Sequence, residues 1–317
     1  MIEAPDALEI KLQPPQTVFR DQVVLKPHIE NILHSESKMS STAYRNRVIK
    51  WRKEREENLR KENGWLALCG LFWLKPGVNL LGSAQECEVK LPDRFPARLG
   101  HFEWNEDAVH FHPDPETGGP LNTFSHIETK LVSDVEENPT FINFEKMSMV
   151  LIKRGKRFGI RMWDNSRPER TDHPPRTWYE IDENYRFPAV YHPYSEPRTL
   201  SFPDVSGDFS DLDVVGTISF EYKNTSSNLV VSLENDETLF LRFWDESSKS
   251  TSYPAGRYMV LKPANTNHLE LDFNFSYNPP CAFTPHATCI FTPQQNRLNF
   301  YILAGEAYGH NIINEFH

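Results

Sequence analysis

The segments Gly256-Arg257-Tyr258-Met259-Val260-Leu261 and Leu269-Glu270-Leu271-Asp272-Phe273-Asn274 read as two short strands, the second ending in an acid and an amide. Working outward, comparable runs recur at 189–191, 214–222, 228–233, 239–244 and 298–303. Others lie at 79–81, 87–91, 101–104, 108–112, 127–131, 141–144, 147–153 and 158–162. Nothing alternates strand with long helix, which excludes a doubly wound α/β fold. Short apolar runs, 24 prolines and 12% aromatics describe strands joined by turns. The expected fold is mainly β, made of antiparallel β sandwich or barrel units with one N-terminal amphipathic helix.

That helix is expected over 41–62, because Tyr44, Val48, Trp51 and Arg55 share one face and Gly64 offers an end. Trp65 to Leu74 is almost wholly apolar but only ten residues long, so it reads as a core segment before the Lys75-Pro76-Gly77 turn. Three parts follow: an extended tail over 1–39 bearing Pro5, Pro14, Pro15 and Pro27, a helix plus N-terminal β unit over 40–165, and a C-terminal barrel-like unit over 166–317. The Pro- and charge-rich passage from Asn165 to Pro175 makes the boundary.

A net charge of −10 and a pI near 5.7 argue against a nucleic-acid surface and against anionic lipid. No run approaches the length of a membrane span and no charged-then-apolar leader opens the chain, so a soluble protein of the cytoplasm or another reducing compartment is expected. Four scattered cysteines fit that compartment. The common phosphate-loop, dinucleotide, nucleophile-elbow and zinc-protease signatures do not occur.

Chemistry-bearing residues gather in the last third. Arg257 and Arg297 have the fork geometry that suits a carboxylate or phosphate. Asp272 and Asn274 project to one face of a strand, Asn278 precedes two prolines, and Asp245 closes an apolar run. Glu306 follows a glycine and is the first candidate for a general base, with Asp272 the second. Each group also has a purely structural interpretation, as an ion pair or a turn former, because unpaired buried polar groups cost roughly 1–3 kcal/mol. Cys281, His286 and Cys289 are chemically able to bind zinc but lack a fourth ligand, so no metal is expected. Whether the two cysteines pair is open.

Trp65 to Leu74 with Gly77 and Gly82-Ser83, Phe243-x-Asp245, Thr251-x-Tyr253-x-x-Gly256-Arg257-Tyr258, Asp272-Phe273-Asn274-x-x-Tyr277-Asn278-Pro279-Pro280-Cys281-Ala282-Phe283, Cys289, Asn296-Arg297-Leu298 and Ala304-Gly305-Glu306 resemble the family of domain of unknown function 1684. The likeness spans roughly Tyr44 to Tyr308. It implies a mostly β protein of a largely bacterial family and brings no established activity or cofactor. The implied polar signature falls on Asp245, Arg257, Asp272, Asn274, Asn278, Cys281, Cys289, Asn296, Arg297 and Glu306. Departures include Glu246-Ser247-Ser248-Lys249-Ser250 where the family has a threonine-glycine turn, and His286 where an aromatic is expected.

The leading functional expectation is binding of a small anionic molecule, with Arg257 and Arg297 holding the anion, Asn274, Asn278 and Asp245 beside them, and acid–base chemistry at Glu306 or Asp272. A second makes the protein an accessory subunit of a larger assembly, docked through residues 1–62. A third is a flavin-binding split barrel.

Overall fold

The computed structural model describes residues 41–115, 129–205, 207–235, 238–263 and 267–309. The expected tail over 1–39 lies outside the described residues. The chain divides into two compact units. One comprises the described residues from Lys61 to Thr171, the other Ser41–Arg60 together with those from Asp172 onward.

The first unit is a sandwich of two sheets. Strands β1 (Leu68–Trp73), β2 (Gly77–Gly82), β3 (Val89–Lys90), β4 (Gly100–Asn105), β5 (Ala108–Pro113), β6 (Thr129–Lys130), β7 (Phe141–Phe144), β8 (Met147–Arg154) and β9 (Arg157–Asp164) make a four-stranded sheet, β1-β9-β8-β7, and a five-stranded one, β3-β2-β4-β5-β6. All pairings are antiparallel except β2 with β3. Leu81, Phe102 and Phe111 from one sheet share a core with Met149, Leu151 and Ile160 from the other. β8 shows why its run is apolar throughout: Met147, Met149 and Leu151 enter that core, while Val150 and Ile152 pack with Trp163 on the opposite face.

The second unit is built on one six-stranded antiparallel sheet. Strands β10 (Arg186–Pro203), β11 (Phe209–Tyr222), β12 (Thr225–Asn235), β13 (Thr238–Phe243), β14 (Arg257–Leu261) and β15 (His268–Asp272) lie in the order β14-β13-β12-β11-β10-β15. β14 and β15 therefore occupy opposite edges. Yet Tyr277, five residues past β15, bridges to Tyr258 in β14. Five residues reach roughly 17 Å, whereas five inter-strand gaps would span about 24 Å if flat. The sheet must curl, and it does so as a half barrel. Its concave core holds Ile218, Leu229, Leu241, Phe243 and Phe273.

The helix α1 (Ser41–Arg60) ends two residues earlier than expected, and the left-handed residue that follows is Asn63, at φ 55°, rather than Gly64. It belongs to the second unit, not with the strands that follow it in sequence. The reason lies in its face. Tyr44 is wholly buried against Asp272, and Trp51 sets its edge against Phe275 and Trp178 at centroid distances of 5.1 and 5.6 Å. Arg55 lays its guanidinium 3.6 Å above the Tyr277 ring, so a helix rich in charge still docks on an aromatic surface.

Residues 298–303, expected as a strand, form none. Leu298, Ile302 and Ala304 are nonetheless buried in the core of the curled sheet.

Candidate functional site

A buried, irregular segment must find partners for its backbone without a ladder. Residues 298–307 find them in side chains. Leu298 donates to the Trp244 carbonyl at 2.8 Å, but the Ile302 N–H is taken by the Asp245 carboxylate at 2.8 Å. Arg257 donates to the carbonyls of Ile302, at 2.8 Å, and Ala304, and its guanidinium meets Asp245 at 2.9 Å. Both members of this ion pair are fully buried. Gly256 makes the approach possible, at φ 97°, since a Cβ there would lie 2.5 Å from the Phe243 carbonyl.

Glu306 continues the stitching. Its carboxylate accepts from Arg176 at 2.7 Å and from the Asn278 backbone N–H at 2.8 Å, and its own N–H donates to the Ser276 carbonyl. The Asn278 amide donates to the Ala307 carbonyl. Burial pushes the Glu306 carboxyl above the usual carboxylate range, against the pull of Arg176 and the Asn278 N–H.

Asp272 ties the helix to the sheet. It accepts from the Tyr44 hydroxyl at 2.9 Å and from both the backbone and side-chain N–H of Asn274 at 3.0 and 2.9 Å. Arg186 and Arg47 stand 3.7 and 3.9 Å away. Burial again raises the carboxyl, with the hydrogen bonds opposing. Asn274 spends the rest of its amide on the backbone of Asp182, at 3.0 and 2.8 Å.

Asn296 and Arg297 part company. The Asn296 amide is buried and bonds Val230 and the Arg242 carbonyl. Arg297 is exposed, its guanidinium 4.7 Å over the Trp244 ring, and it makes no hydrogen bond or ion pair among the described residues. It borders a hollow of about 320 Å³ walled by Pro254, Ala255, Phe291 and Thr292. The wall is fixed: the Trp244 indole N–H donates to the Pro254 carbonyl at 3.1 Å, and the Thr292 hydroxyl to that of Ala255 at 3.0 Å.

Residues 175–307 match the model of the family described as protein of unknown function, DUF1684. The chain belongs to this family. The DUF1684 match thus begins near the start of the sequence-continuous part of the second unit, so the Trp65–Leu74 and Gly82-Ser83 motifs lie outside it. The chain is also similar to an uncharacterized protein of Haloarcula marismortui with a solution NMR structure. The two share 30% identity over 44% of this chain and 79% of the other, with a TM-score of 0.37. No curated protein matches.

Of the DUF1684 signature residues, the structure joins Asp245 to Arg257, Glu306 to Asn278, and Asp272 to Asn274. It does not bring Arg257 and Arg297 to one point: the first is sealed inside the fold and the second faces solvent. Among the described residues no group of three or more histidines, cysteines, aspartates or glutamates is placed to hold a metal, and no helix is long and apolar enough to cross a membrane. Two partners escaped sequence reasoning. Arg176 sits in the passage read as a boundary loop, and Tyr44 was legible only as a core position of a helix. A lone arginine between two prolines and a threonine gives no periodic signal.

Proposed function

We propose that the protein binds a small anion at the hollow beside Arg297, and that the buried ionic network of the second unit is the frame that holds this hollow open rather than a catalytic centre. The supporting observation is the state of Arg297. Of the signature arginines it alone keeps its fork unspent, stacked on Trp244 at the rim of a walled hollow. Glu306 and Asp272, by contrast, are buried and already accept two or more hydrogen bonds each, which leaves little for a substrate. The test is a titration with inorganic phosphate and with citrate, following the Trp244 indole N–H by NMR. A saturable shift that weakens roughly tenfold or more in Arg297→Ala, as expected for loss of a charge-assisted bond, supports binding there. An unchanged titration in that variant overturns it.

A second reading, that the chain is an accessory subunit, draws support from the outer half of the β10–β11 hairpin. Residues 198–203 and 209–213 pair only with each other, and Leu200 and Phe209 stand exposed. Native mass spectrometry of protein purified from its source, with and without Leu200→Ser and Phe209→Ser, distinguishes the two. Subunits lost in that variant but kept in Arg297→Ala favour assembly.

A further inference from the structure

Two thiols meet in the second unit. Cys281 lies in the 3₁₀ turn Pro280–Ala282 and is half-buried; Cys289, after seven intervening residues, is buried. Both are free, and their thiols are hydrogen-bonded to each other. The Cys289 sulfur also accepts from the Cys281 backbone N–H and the Tyr258 hydroxyl, with the positive charge of Arg242 nearby. Burial pushes the Cys289 thiol up, but these donors outweigh it and bring it below its usual value. The hydrogen bond to Cys289, with burial, pushes Cys281 up. The pair thus carries its first negative charge on Cys289 and its proton on Cys281. The other two cysteines differ: burial raises both, Cys69 to about 12.

The backbones on either side are anchored. The Tyr253 hydroxyl donates to the Cys281 carbonyl at 2.9 Å, and the Val205 N–H, at the tip of the β10–β11 hairpin, to the Cys289 carbonyl at 3.0 Å. Phe291 donates back to Pro203 at 2.9 Å. Side-chain rotation is then the movement that closing a bond between the sulfurs requires.

We propose that Cys281 and Cys289 form a reversible dithiol–disulfide site whose substrates are low-molecular-weight disulfides of the glutathione type. Cys281, the more accessible thiol, attacks one sulfur of the small disulfide while its proton passes to the Cys289 thiolate. A mixed disulfide forms on Cys281 and one small thiolate leaves. That thiolate takes the proton from Cys289, which attacks the Cys281 sulfur and expels the second small thiolate. One small disulfide and the dithiol become one protein disulfide and two small thiol equivalents, with charge conserved.

The experiment uses the full reduced chain incubated with oxidised glutathione, quenched in acid, alkylated and mapped by mass spectrometry. The expected result is loss of two of the four alkylatable thiols together, a mass lower by two hydrogens, a crosslinked 281–289 peptide, and reversal by excess reduced glutathione. In Cys289→Ser the adduct should stay on Cys281 for want of a resolving thiol. A lasting glutathione adduct on Cys281 of the unaltered chain with Cys289 still alkylatable, or four alkylated thiols, would overturn the proposal. The unaltered chain decides by itself, so a variant that fails to fold leaves the test intact. Arg297→Ala should crosslink as the unaltered chain does, which separates this site from the anion reading.

Discussion

Arg257 shows what the polar signature does at the scale of one side chain. Its guanidinium neutralises Asp245 and caps carbonyls that no strand reaches. Arg257→Ala would leave a carboxylate buried and those carbonyls bare, and should cost about 3–5 kcal/mol in urea unfolding. Arg297→Ala, at an exposed position, should stay within about 0.5 kcal/mol. Tyr44→Phe removes one donor from the buried Asp272 and should cost about 1–3 kcal/mol. Glu306 also sets a pH dependence. Its folded pKa is raised, so its contribution is full below the ordinary glutamate value of about 4.3 and is lost as pH rises through the higher folded value. Relative to Glu306→Gln, the unaltered chain should therefore lose stability between pH 4 and pH 7, read from urea midpoints at each pH; a constant difference would contradict the shift. Sequence reasoning found Asp245, Arg257, Asp272 and Glu306 because charge in apolar surroundings is conspicuous. It could not separate an ion pair from an empty binding site, since both interpretations place the same residue types at the same positions.

At the scale of elements, period-two alternation was reliable where one face meets a core, and β7 matches its expected bounds. It failed in two places. β10 was expected only over 189–191, yet it runs from Arg186 to Pro203 with Pro193, Pro197 and Pro203 inside it. Such prolines fit because most of its outer half has no neighbour on the second side, and a strand exposed on both faces carries no apolar period. Residues 298–303 failed in the opposite sense: their apolar period is real and points into the core, but side chains replace the ladder. Gly216 offers a test at this scale. It lies where β11 shifts register, and a Cβ would come 2.5 Å from the His192 carbonyl and 2.6 Å from the Tyr191 ring. Gly216→Ala should cost about 1–3 kcal/mol, seen as an earlier thermal transition of the β signal.

Across the whole molecule, the second unit is discontinuous in sequence: α1 comes first, residues 61–171 make a unit of their own, and the remainder of the curled sheet follows. The helix packs on Trp178, Phe275 and Tyr277, all distant from it along the chain. Long-range pairing of this kind is slow because loop closure precedes its reward. In refolding, the fluorescence change carried by Trp51, obtained by subtracting a Trp51→Phe variant, should accompany or follow the recovery of sheet circular dichroism. A Trp51 signal that recovers first would contradict docking onto a formed sheet.

The bond between the Tyr44 hydroxyl and Asp272 joins residues 228 positions apart. At translation rates of about 5–20 residues per second, a newly made α1 waits roughly 11–46 s before its acceptor has even been polymerised. Through that interval the nascent chain carries Tyr44 and Trp51 without their eventual partners, an opening for chaperones that the finished fold no longer offers.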